Sequence, residues 1–92
     1  MATRLIIAGT VQGVGFRHAL ATQANARGLT GWVCNRRDGT VEACFHGPEE
    51  DVEALVTWSH HGPPGARVAG ITRTEADDAE VAGSGFHIAA TR

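Results

Sequence analysis

Within this 92-residue chain, the residues best suited to chemistry are Arg17 and the glycine-bearing stretch that leads to it, Val11-Gln12-Gly13-Val14-Gly15-Phe16-Arg17. Gly13 and Gly15 can take positive φ and let the backbone approach a ligand closely. Consecutive N–H groups from Gln12 to Arg17 can then converge in one concave nest below a helix N-terminus, and such a nest binds an anion. Charge placement sharpens the reading. Arg17 and His18 open the first helical run with no acid beside them, whereas the second opens with Glu49-Glu50-Asp51, as a helix dipole favours. A cation in a first turn costs about 0.3–1 kcal/mol unless an anion lies between it and the amides. Residues 1–37 hold five arginines and no acid, and residues 38–92 hold three arginines and all ten acids, so charges of +5 and −7 make the net −2. A basic pole on an acidic body suits a small anion better than a nucleic-acid backbone. The stretch lacks the Gly-Lys-Ser/Thr ending of a nucleotide P-loop and does not match the dinucleotide fingerprint.

Other candidates carry less. Cys34 and Cys44 fall on one face of a hairpin, but diagonally: pairing Val33 with Ala43 sets Cys34 opposite Glu42 and Cys44 opposite Trp32. Diagonal Cα atoms lie ~7–8 Å apart, too far for a relaxed disulfide, so two free thiols are expected. His60 and His61 are adjacent and cannot converge on a metal as an i, i+4 pair can; they read as solvated residues at a helix C-terminus. His18, beside Arg17, could lend charge to a pocket there but reads first as an exposed first-turn residue, Trp32 as packing on the outer sheet face, and Glu49, Glu50 and Asp51 as a helix start. Asn35, on its own, reads as a strand-end residue serving a turn.

The elements that must position these residues follow from periodicity. Thr3 to Thr10 alternates as a strand with Leu5, Ile7 and Gly9 on one face. Phe16, Leu20 and Ala24, spaced i, i+4, i+8, make a helix from Phe16 to Arg27 that Gly28 ends. Thr30–Asn35 and Thr40–His46 form a hairpin around Arg36-Arg37-Asp38-Gly39, with Val41, Ala43 and Phe45 alternating against Glu42, Cys44 and His46. Val52, Leu55, Val56 and Ser59 trace one face of a second helix that has Pro48 at N1 and stops at Gly62-Pro63-Pro64. Ala66 to Thr74 resumes strand character with a bulge near Ala69-Gly70. The acidic run Glu75–Gly85 reads as a loop or irregular edge, and Phe86, Ile88 and Ala90 as a short last strand. The order βαββαβ, with a short fifth strand, predicts an α+β fold, the ferredoxin-like split βαβ sandwich: an antiparallel sheet with two helices on one face. Asn35 shares the parity of Val33 and so faces the helix side at the sheet end, near the glycine stretch.

Ninety-two residues make a single domain, residues 1–92, with one core. No segment approaches the ~18–20 apolar residues of a membrane span, and no signal pattern opens the chain, so a cytoplasmic location with no membrane partner is expected.

Read together, Gly9-Thr-Val-Gln-Gly-Val-Gly-Phe-Arg17, Gly28-Leu-Thr-Gly-Trp-Val-Cys-Asn35, Asp38-Gly-Thr-Val-Glu42, Gly47-Pro48 and Gly62-Pro63 resemble the acylphosphatase family, small bacterial type, in order and at the family's spacing over nearly the whole chain. The resemblance implies hydrolysis of the carboxyl-phosphate bond of an acyl phosphate, giving a carboxylate and inorganic phosphate. By it, the backbone of Gln12, Gly13, Val14, Gly15, Phe16 and Arg17 and the Arg17 guanidinium hold the phosphoryl oxygens, and Asn35 orients the attacking water. The leaving carboxylate has a conjugate acid of pKa near ~4–5, so no general acid is needed, and a loose transition state leaves the work to positioning and charge. No cofactor and no metal are implied; the partner is a small acyl phosphate, with no nucleic acid, and the chain is expected to be a monomer. Many members place an arginine or tyrosine just after the last Phe-x-Ile strand, whereas here Ala89-Ala90-Thr91-Arg92 follows Ile88, a departure that bears on C-terminal bracing and not on the site. Two rival readings remain. A ferredoxin-like domain can be a small-molecule-binding regulatory module without turnover. RNA binding on an open sheet face is disfavoured, because that face offers Trp32, Glu42 and Cys44 in place of a set of stacking aromatics.

Overall fold

The computed structural model describes residues 1–92. Its elements run β1 (Ala2–Thr10), α1 (Phe16–Ala26), β2 (Thr30–Asn35), β3 (Val41–His46), α2 (Glu49–Ser59), β4 (Arg67–Ala76), a short 3-10 helix (Asp78–Val81) and β5 (Phe86–Ile88). The strands lie in one sheet in the order β4-β1-β3-β2-β5. Alternation places Leu5, Ile7, Val33, Val41, Ala43 and Phe45 on one face, where Phe16, Leu20 and Ala24 of α1 and Val52, Leu55 and Val56 of α2 cover them. Each fully buried Leu, Ile or Phe of this core contributes about 1.5–3 kcal/mol.

Hairpin register agrees with the sequence reading: Val33 pairs with Ala43, Cys34 with Glu42 and Trp32 with Cys44, and both cysteines are free thiols. The bulge is also in place. Ala8 pairs with Gly70 and Gly9 with Val68, which leaves Ala69 unopposed.

Four expectations are corrected. The sheet is mixed, since β5 runs parallel to β2 while the other pairings are antiparallel. The cause is the chain path: β4 occupies one edge, and residues 77–85 carry the chain to the opposite edge, where it enters alongside β2 in the same direction. That crossing also covers the outer face. Val81 of the 3-10 helix is buried with Ala2, Trp32, Cys34, Cys44 and Ala76 in a second small core, and the Trp32 indole N–H donates to the Glu80 carbonyl at 2.9 Å. The face expected to be open is closed. Pro48 stands one position earlier than N1, as the extended N-cap residue of α2, and its carbonyl accepts from the N–H groups of Asp51 and Val52. Finally, the segment after Ile88 is braced without the family's usual residue. The Arg92 guanidinium lies 4.2 Å over the Trp32 ring, a cation–π contact, and its backbone N–H donates to the Asn35 carbonyl at 3.0 Å.

Strands β1 and β2 are both antiparallel to β3, and β5 is parallel to β2. Their C-terminal ends therefore emerge at one end of the sheet, and Thr10, Asn35 and Ile88 are the residues that close them.

Candidate active site

The loop leaving β1 is fixed at both ends by apolar burial. Val11 and Phe16 are each 1% exposed, and the Phe16 ring packs tilted against Trp58 with centroids 5.6 Å apart. Between these anchors Gly13 (φ 75°) and Gly15 (φ 79°) take the left-handed region, as the sequence requires, and Gly15 is the N-cap of α1. No side chain caps this helix and no acid lies in its first turn. The first helical bond runs from the Ala19 N–H to the Gly15 carbonyl. The N–H groups of Phe16, Arg17 and His18 are thus the open first-turn donors of a helix. Those of Gln12, Gly13, Val14 and Gly15 meet no acceptor in the chain. The result is a run of amide donors at the positive end of a helix dipole.

The Gln12 side chain has a structural task apart from the backbone N–H expected to face the anion. Its side-chain amide turns away from the loop and donates to the carbonyls of Arg36, at 2.8 Å, and Thr40, at 2.9 Å. It clamps the loop to the β2–β3 hairpin, so any contact with a bound anion comes from its backbone N–H. The hairpin is itself stiffened by Asp38, whose carboxylate accepts from the Thr40 hydroxyl at 2.6 Å and N–H at 3.0 Å; these bonds hold the carboxyl below its ordinary pKa. This clamp and the Arg92 bond to its backbone fix Asn35 relative to the loop.

A pocket of about 220 Å³ opens at this end of the sheet, lined by Val11, Gly13, Gly15, Phe16, Arg17, His18, Asn35 and Ile88. It brings together Arg17 and Asn35, residues 18 positions apart in sequence. Val14 stays outside, packed against the main core. Arg17 makes no ion pair, whereas Arg4, Arg27, Arg36, Arg73 and Arg92 all lie near a carboxylate. The Asn35 Oδ1 atom is buried and has no hydrogen-bond partner in the chain. A guanidinium without a carboxylate, a run of unused amide donors and an unused acceptor therefore converge, which suits an anion and a proton-donating molecule held side by side. His18 is exposed, as expected, and stands at the pocket beside Arg17, whereas Ile88 was not expected here. Ile88 carries no local signal, since only the direction of β5 brings it to the pocket.

The remaining candidates lie elsewhere. His60 and His61 are exposed beyond α2. No group of three or more His, Cys, Asp or Glu is placed to hold a metal ion. The thiols are inert packing groups: burial first, then the Glu42 charge, raises the Cys34 pKa, and burial pushes Cys44 up to about 11.

The acylphosphatase family model matches residues 3–88. The chain belongs to the acylphosphatase family. An acylphosphatase of Paraburkholderia xenovorans is 51% identical over 69 residues, which are 75% of this chain and 71% of that protein. The crystal structure of the Bacillus subtilis acylphosphatase superposes with a TM-score of 0.82 at 36% identity, covering 96% of this chain and 97% of the other. The structure of an acylphosphatase from Coxiella burnetii gives a TM-score of 0.88 at 32% identity, covering 96% of this chain and 90% of the other. These are the similarities expected of acylphosphatases: the ferredoxin-like α+β fold is shared along with the family, and no helix here is long and apolar enough to cross a membrane.

Proposed function

We propose that this acylphosphatase holds the phosphoryl group of its substrate on the backbone amides of Gln12 to Arg17 and on the Arg17 guanidinium, and that Asn35 orients the attacking water. The reaction is hydrolysis of an acyl phosphate. Water oxygen bonds to phosphorus, the bond from phosphorus to the acyl oxygen breaks, and the carboxylate departs with the electron pair. The water proton passes to a phosphoryl oxygen. A carboxylate is a good enough leaving group to need no general acid, so the pocket has to supply position and positive charge.

The observation that carries this reading is the pairing inside one pocket of Arg17, which has no carboxylate partner, with Asn35, whose buried Oδ1 has no partner in the chain. A planar guanidinium can grip two phosphoryl oxygens bidentately. An amide oxygen accepts a hydrogen bond from water and so aims the water's lone pair elsewhere, toward phosphorus. A regulatory module would need the first feature but has no use for the second.

The chain acts as a cytoplasmic monomer on a small-molecule acyl phosphate. The test is hydrolysis of an aryl acyl phosphate such as benzoyl phosphate, with an alkyl phosphate monoester as control. Turnover of the first and none of the second is expected. Tight binding of phosphate with no turnover of either would move the protein to the regulatory reading.

A further inference from the structure

We propose that Ile88 is a specificity-determining residue, contacting the acyl group and favouring acyl phosphates with a large apolar or aromatic acyl portion over those with a small one. The inference rests on the phosphate placement proposed above. Of the six pocket residues with side chains, Val11 and Phe16 are buried and Arg17 and Asn35 are partly covered; only His18 and Ile88 are exposed, which puts them at the mouth. Ile88 is 42% exposed and, apart from Met1, is the one large hydrophobic side chain in the chain left open to solvent. An inorganic phosphate has no use for such a neighbour. The other half of the substrate does: with the phosphoryl group on the amides of α1's first turn, the acyl group extends toward the mouth.

The position of Ile88 is held firmly enough to select. Strand β5 is fixed by the Ala89 N–H to the Val33 carbonyl at 2.8 Å, and by a reciprocal pair in which Asn25 of α1 donates to the Phe86 carbonyl at 3.1 Å and accepts from the Phe86 N–H at 3.2 Å. Ile88 pairs with Val33 in the register, two residues before Asn35 on the same face. Branching at Cβ limits its χ1 further, so the side chain presents a preset apolar surface beside the water-orienting residue. His18, the other side chain at the mouth, offers a flat ring that suits a planar acyl group.

The test compares kcat/KM for benzoyl phosphate with kcat/KM for acetyl phosphate in the parent, Ile88→Ala and Ile88→Thr. The ratio within one variant cancels the amount of active enzyme, so partial loss of fold does not obscure the result, and threonine keeps the β-branch that strand β5 prefers. A lost apolar contact of this size is worth about tenfold in discrimination. The benzoyl-to-acetyl ratio is expected to fall about tenfold in both variants, while the inhibition constant of inorganic phosphate moves less than about twofold. An unchanged ratio overturns the assignment while leaving the enzymatic reading intact. A parent that hydrolyses neither substrate overturns that reading, and the assignment with it.

Discussion

Replacing Gly15 by alanine separates what the glycine does for the backbone from what it does for the ligand. Gly15 sits at φ 79°, and a Cβ built there meets no atom within 4 Å, so the cost to the fold is only that of holding alanine in the left-handed region, about 1–2 kcal/mol. Gly28, which follows α1, provides the matched control: its φ is 69°, its Cβ also meets nothing within 4 Å, and it lies outside the pocket. Gly15→Ala and Gly28→Ala should therefore lower the melting temperature alike, by about 4–8 °C for each kcal/mol in a domain of this size. Function should split them. The space around the Gly15 Cβ position belongs to the pocket wall, so the added methyl and any relaxation of the strained turn displace the phosphoryl group. A displacement of about 1 Å costs up to about 10²-fold in rate. Melting curves, kcat/KM for benzoyl phosphate and competitive inhibition by phosphate decide the matter. A Gly15→Ala enzyme that melts with Gly28→Ala and keeps parental phosphate affinity and kcat/KM would refute the amide nest as the phosphate site.

Three further outcomes are expected. Arg17→Lys should retain the parental melting temperature yet lose about 10²–10³ in kcat, because an ammonium cannot match a planar fork on two oxygens; turnover within tenfold of the parent would make Arg17 a surface residue. Exhaustive chelation should leave activity unchanged, since no cluster of His, Cys, Asp or Glu has the geometry of a metal site; loss restored by a divalent ion would contradict this. Cys34 and Cys44 should resist alkylation at pH 8 in the native state and react in denaturant. For Cys44 the unfolded thiol ionises near its ordinary 9.0 and the folded one near about 11, so its contribution to stability is whole below pH 9 and is lost as pH rises through 11. Denaturant melts at pH 8 and pH 11 should show a smaller alkaline loss for Cys44→Ala than for the parent; equal losses would assign the effect elsewhere.

Much of this was legible in the sequence because the signals are local. The i, i+4, i+8 spacing of Phe16, Leu20 and Ala24 marked the buried face of α1, and the alternation of Val41, Ala43 and Phe45 fixed the hairpin register and with it the diagonal cysteines. Parity from Val33 placed Asn35 on the side where it meets Arg17. What escaped depends on chain path. The run Glu75–Gly85 has a single large apolar residue, Val81, and no period, so nothing local announces that it closes the outer face. The parallel direction of β5 follows from that crossing, and with it the arrival of Ile88 at the pocket. The Gln12 clamp joins residues 24 and 28 positions apart, and Arg92 reaches Trp32 across the sheet edge; a side-chain hydrogen bond to a distant carbonyl leaves no pattern in composition or spacing.

The division of labour between Arg17 and Asn35 is the central claim, and one pair of variants tests it most directly. In the proposed mechanism Arg17 supplies charge to the phosphate in ground and transition states, whereas Asn35 acts only on the water, which bound inorganic phosphate does not need. Turnover of benzoyl phosphate and the dissociation constant of inorganic phosphate should be measured for Arg17→Ala and Asn35→Ala. The account predicts that both lose most of their turnover, that Arg17→Ala also loses phosphate affinity, and that Asn35→Ala binds phosphate about as well as the parent. An Asn35→Ala enzyme with full turnover, or with phosphate affinity lost as severely as in Arg17→Ala, would contradict it.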